Sequence, residues 1–159
     1  MGKFVYVVLG IVAFCLLVTV IGLNLPVTAN FAGDIDTGDT AWVAAAAVLV
    51  MLMTPAVGFF YGGLVREKNL LSILVQSIAI FAIISAVWTI VGFSLAFGPS
   101  IGGFIGNLNY LFLNGVGAAP NADYAATIPA LLFFFFQLKF AAITPVLIIG
   151  AFAERKKFT

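Results

Sequence analysis

In the stretch FFFFQLKFAAITP, Phe133 to Pro145, one glutamine and one lysine stand among five phenylalanines inside a long apolar run. Ring faces attract cations through their quadrupole, and the attraction grows when water is excluded. A lysine at such a depth is expensive, at roughly 2.5 to 3.5 kcal/mol on insertion scales. These residues can therefore recruit, gate or repel a small cation. Covalent chemistry has no comparable foothold. The sequence has no histidine and one cysteine, Cys15, and it offers no metal-ligand cluster, activated nucleophile or phosphate loop. The chain is not read as an enzyme, and no cofactor is expected.

A helical wheel sorts the stretch. With Phe136 at 0° and each residue advancing about 100°, Phe133 falls near 60°, Phe140 near 40°, Ile143 near −20°, Thr144 near 80° and Leu147 near 20°. One stripe is aromatic above and aliphatic below. Gln137 and Lys139 flank it at about 100° and −60°. By helical rise Phe136 lies ~12 Å, Lys139 ~16 Å and Phe140 ~18 Å below the start of the span. Two rings at those depths could close a conduit beneath an outer vestibule. Packing among lipid or other helices accounts equally well for phenylalanines at this spacing. A helix-to-helix hydrogen bond suffices for Gln137, whereas Lys139 has no acid in any apolar segment to pair with.

The elements that must position these residues follow from composition. Of 159 residues 64% are hydrophobic and 8% charged, a balance suited to lipid and outside the range of a soluble domain. A net charge of +1 without any basic field argues against nucleic acid as a partner. Four apolar stretches reach the ~20 residues needed to cross ~30 Å of hydrocarbon, at about 4–23, 41–63, 70–97 and 128–153. They lack the alternation of barrel strands, so the expected fold is an all-α, polytopic helical bundle. Residues 1–29 fit two descriptions: a signal peptide with a small-x-small site at Val27–Ala29, or an extra N-terminal transmembrane helix.

Basic residues alternate between loops. Arg66 and Lys68 follow the second stretch, and Arg155, Lys156 and Lys157 follow the fourth. The loops holding Asp34, Asp36, Asp39 and Asp123 carry no base. The positive-inside rule places the first set in the cytoplasm and the second outside. Pro55 predicts a kink in the second stretch, and the Gly58/Gly62 pair predicts close helix packing. Serines 72, 77, 85 and 94 with Gln76 predict hydrogen bonds between helices. Trp88 is expected in a packed or lipid-facing position. The loop 98–127 reads as turns around an apolar island, NLNYLFL, lying on the outer membrane surface with Tyr110 at headgroup level.

Several motifs in fixed order, TPAVGFFYGGLVREKN, GFSLAFG and FQLKFAAITPVLIIGAFAER, resemble the N-terminal part of the Amt/MEP/Rh ammonium transporters over about residues 38–159. The resemblance implies the first helices of an eleven-helix inverted-repeat fold, residues 30–159 forming the N-terminal part of the transporter domain. It implies ammonium, ammonia or methylammonium as substrate, a multi-pass position in the cell membrane and a homotrimer. A PII-type regulatory protein on the cytoplasmic face is a further implied partner. Residue by residue, Phe136 matches an aromatic of the recruitment site, Gln137 its neighbour and Phe140 the outer ring of a two-phenylalanine gate. Phe60 of FYGG is expected near the inner exit. The pore histidines of the family lie beyond the matched portion, so conduction by this chain alone is not expected. Lys139 departs from the family pattern, with a fixed cation beside the gate and an expected acid partner from one of the family's helices beyond the matched portion. An ammonium-sensing or signalling membrane domain is the alternative function.

Overall fold

The computed structural model describes residues 33–155, so the first apolar stretch and both readings of residues 1–29 lie outside the described residues. Helix α1, Thr37–Leu64, starts where Asp36 leaves the helical conformation and accepts the Asp39 backbone N–H at 2.8 Å. An aspartate at this position satisfies one of the otherwise orphaned N-terminal donors. The helix therefore begins a turn before the apolar run does. It continues past Pro55 without a break. A 3₁₀ turn, Glu67–Asn69, leads into α2, Leu70–Val87, which passes through a π turn, Trp88–Gly92, into the short α3, Phe93–Phe97. Two small antiparallel hairpins follow: β1, Ser100–Ile101, with β2, Ile105–Gly106, and β3, Pro120–Asn121, with β4, Ala125–Pro129. The last helix is α4, Ala130–Phe152. It starts two residues later than the apolar run because Ile128 and Pro129 complete β4.

Three helical stretches, Thr37–Leu64, Glu67–Phe97 and Ala130–Phe152, are long and apolar enough to cross a bilayer. The described residues fall into two compact units, 33–86 with 117–155, and 87–116.

In the larger unit, α1 packs along α4. The core holds Ile73, Val146 and Ile149, covered by Val57, Tyr61, Val65, Ile80 and Phe152. Side chains at every fourth position, Phe134, Leu138, Ala142 and Val146, form the buried face of α4. Close approach depends on glycine. A Cβ at Gly58 would stand 3.1 Å from Ser77 Oγ, and one at Gly150 would stand 3.0 Å from the Tyr61 ring. The Gly58/Gly62 pair is thus occupied by contacts within the chain, to Ser77 and Leu70. The Tyr61 hydroxyl donates to the Leu147 carbonyl at 2.8 Å, tying α1 to α4. For Ser72, Gln76 and Ser77, the hydrogen bonds expected between helices form inside α2 instead. Gln76 donates to Ser72 Oγ at 3.0 Å and Ser77 to the Ile73 carbonyl at 2.9 Å. A hydroxyl four residues from a carbonyl reaches it more readily than a neighbouring helix.

In the smaller unit, residues 87–116, Ser94 is fully buried and joins the helix to the loop. Its Oγ donates to the Asn107 carbonyl at 2.7 Å and accepts the Tyr110 backbone N–H at 3.0 Å. Trp88, Phe93 and Phe97 form a ring cluster, and Tyr110 packs 6.0 Å from Phe93. Tyr110 is only 4% exposed, so it serves as a core residue here and not as an exposed interfacial anchor. The Ser94 bonds pull its backbone inward, which the pattern of apolar residues could not reveal.

Candidate functional site

The aromatic stripe begins in the outer loop. Tyr124, in the turn between β3 and β4, stacks on Phe133 with ring centroids 6.2 Å apart and 12° between planes. One turn deeper, Phe136 and Phe140 meet edge to face at 5.0 Å and 74°. This is a favourable aromatic geometry, with ring edge directed at ring face. Of the three rings that the wheel groups, Phe136 and Phe140 meet each other and Phe133 meets Tyr124. Tyr124 was missed, because its contact depends on a hairpin folding back over the helix.

The stripe lies off the packed face of α4. Phe134, Leu138 and Ala142 are buried, whereas Phe136 and Gln137 are half-buried and Phe140 is 39% exposed. Thr144, beneath it, donates its hydroxyl to the Phe140 carbonyl at 2.8 Å. No hydrogen bond to the Gln137 side chain forms among the described residues.

Lys139 takes a different direction. It is 4% exposed, with Nζ 3.6 Å from the centroid of the Phe135 ring and 5.5 Å from that of Phe81. The expected acid is not among its neighbours in the described residues, where Arg66 and Glu154 form the ion pair present. Within the described residues its neighbours are these two phenylalanine rings.

Phe60 is not brought to the stripe. It is 65% exposed, its ring 5.6 Å from Tyr61. Tyr61 is bonded to Leu147, eleven residues below Phe136 and so about 16 Å further along α4. Phe60 belongs to the opposite end of the helix pair.

The Ammonium Transporter Family model matches residues 41–159. The chain belongs to the ammonium transporter family. Among its relatives are ammonium transporter 1 of Dictyostelium discoideum, 46% identical over 77% of this chain and 27% of the relative. The ammonium transporter of Bacillus subtilis is 48% identical over 76% of this chain and 30% of the relative. The crystal structure of Candida albicans Mep2 superposes with a TM-score of 0.68 at 35% identity, covering 79% of this chain and 27% of that one. Saccharomyces cerevisiae Mep2 gives 0.67 at 33% identity, covering 79% and 30%. The chain thus spans about a third or less of these proteins. With this membership and three spanning-length helices, it is a multi-pass, helical membrane protein of the ammonium transporter fold.

Two of the family-like motifs meet at the end of the helix pair. Glu154 of AFAER accepts the Arg66 backbone N–H at 2.9 Å and the Asn69 Nδ2–H at 2.8 Å through Oε1, while its Oε2 lies 3.7 Å from Arg66 Nε. The hydrogen bond from the Arg66 backbone, then that from Asn69, holds the Glu154 carboxyl below the ordinary carboxylate range. Opposite charges in VREKN and AFAER, at span ends on one side, were the signal in the sequence for this clamp.

Proposed function

We propose that this chain forms the N-terminal spans of an ammonium transporter and contributes one side of its outer recruitment site and gate. The observation that carries the reading is the edge-to-face pair Phe136–Phe140 within the matched FQLKFAAITP segment. The pair sits off the packed face of α4, with Phe136 half-buried and Phe140 39% exposed. In this reading Phe136 presents a ring face to an arriving ammonium, Gln137 supports it, and Phe140 closes the way inward. Phe60 lies toward the inner exit. The substrate is ammonium, carried onward as ammonia, with methylammonium as its analogue. The assembled protein is a homotrimer open to a PII-type regulator at the end bearing Arg66 and Arg155, and it is a transporter without enzymatic activity. The N-terminal residues 1–29 precede a transporter domain that begins near residue 30.

Uptake of labelled methylammonium into cells lacking their own ammonium transporters tests the reading. The full-length protein carrying this segment is expected to restore uptake, and the Phe136→Ala, Phe140→Ala double variant to lose most of it. Uptake unchanged in the double variant would remove the stripe from the path.

A further inference from the structure

Among the described residues, the Lys139 amine is nearly sealed inside a spanning helix, with ring faces and no carboxylate beside it. Lys139 is 4% exposed, and its Nζ stands over Phe135 at 3.6 Å and near Phe81 at 5.5 Å. Ring faces stabilise a cation but carry no net charge, so they do not cancel its field at a distance. A carboxylate would. Salt ions that screen exposed charges have little access to a buried one.

We propose that Lys139 is a specificity-determining residue, a fixed cation whose field penalises positively charged occupants of the Phe136–Phe140 site and leaves neutral ones unaffected. The inference rests on the reading of that ring pair as a substrate site. Lys139 follows Phe136 by three positions and immediately precedes Phe140 on α4, while its Nζ rests on the Phe135 ring. In general, two unit charges about 10 Å apart at an effective dielectric of about 20 repel enough to lower the occupancy of the second on the order of tenfold. A neutral amine molecule in the same place feels no such term. The effect weakens binding of the ammonium form and makes loss of its proton at the gate easier. It also disfavours other monovalent cations, which cannot shed their charge.

The test is equilibrium binding of labelled methylammonium to the purified full-length protein, with uptake into proteoliposomes measured separately. Lys139→Met and Lys139→Gln are expected to bind about tenfold more tightly than the wild type. Lys139→Arg, which stays charged, is expected to match the wild type. A merely structural lysine would not give this pattern. Equal binding by wild type and both neutral variants, no saturable binding in the neutral variants, or agreement of Lys139→Arg with Lys139→Met would each overturn the proposal. Absent uptake with the binding contrast intact would remove the transport reading and leave the charge effect standing. Normal uptake without the contrast would do the reverse.

Discussion

Glu154 accepts the backbone N–H of Arg66 at 2.9 Å, across 88 positions of sequence, and so fixes the turn after α1 to the end of α4. The same oxygen accepts from Asn69 at 2.8 Å, and Glu154 itself sits at a φ of 62°. A non-glycine residue in that region is uncommon and is kept there by its surroundings. The carboxylate's bonds supply them.

Acid should release this clamp. Because its bonds hold the Glu154 carboxyl low, the stabilisation is complete above the unfolded-state value of about 4.3 and is lost as pH falls through the lower, folded value. Amide exchange at Arg66 in the detergent-solubilised protein is expected to stay slow at neutral pH and accelerate in acid. Glu154→Gln should exchange faster at neutral pH and show no such acid step. An identical pH profile in both proteins would mean that the carboxylate does not hold the turn.

Gly58 sets the distance between α1 and α2. An alanine there places its Cβ 3.1 Å from Ser77 Oγ, close enough that Ser77 must yield by a few tenths of an ångström. Gly58→Ala should therefore cost little, and Gly58→Leu about 1 to 3 kcal/mol through overpacking. Thermal unfolding in detergent measures the difference. Ser77→Ala is expected to recover the loss in Gly58→Ala but not in Gly58→Leu.

Length and hydropathy make the three helices visible, because a bilayer-spanning helix must be both long and apolar. Their ends are less visible. Asp36 begins α1 by capping it, a polar event outside the apolar run. The π turn at Trp88–Gly92 has the same composition as the helix around it, and the hairpins depend on pairings such as Ser100 with Gly106. For the candidate site, periodicity grouped Phe133, Phe136 and Phe140. It did not indicate which shoulder of that stripe packs inward. That depends on Phe81, which lies on another helix and is brought to Lys139 only by folding.

Ser94 offers a test of the loop. With its hydroxyl removed, the half-buried Asn107 carbonyl and the buried Tyr110 N–H both lose a partner. Leaving buried backbone groups unsatisfied costs about 1 to 3 kcal/mol each. Ser94→Ala is expected to speed limited proteolysis between 98 and 116, while Ser94→Thr retains the hydroxyl and should protect the segment better. Equal cleavage of wild type and Ser94→Ala would show that the loop is held by its rings alone.

The Phe136–Phe140 pair separates function from stability. The ring pair contributes about 0.5 to 1.5 kcal/mol beyond its buried area, and Phe140, at 39% exposed, is less buried than Phe134 at 7%. The buried Phe134 is the internal control, since truncating a packed ring costs about 3 to 5 kcal/mol. Phe136→Leu and Phe140→Leu should thus change thermal stability by at most about 1.5 kcal/mol while reducing methylammonium uptake at least tenfold. Phe134→Ala should lower the unfolding temperature strongly, with uptake falling only in proportion to the folded protein remaining. The opposite assignment, uptake following Phe134 independently of stability and indifferent to Phe136 and Phe140, would place the substrate path on the inner face of α4.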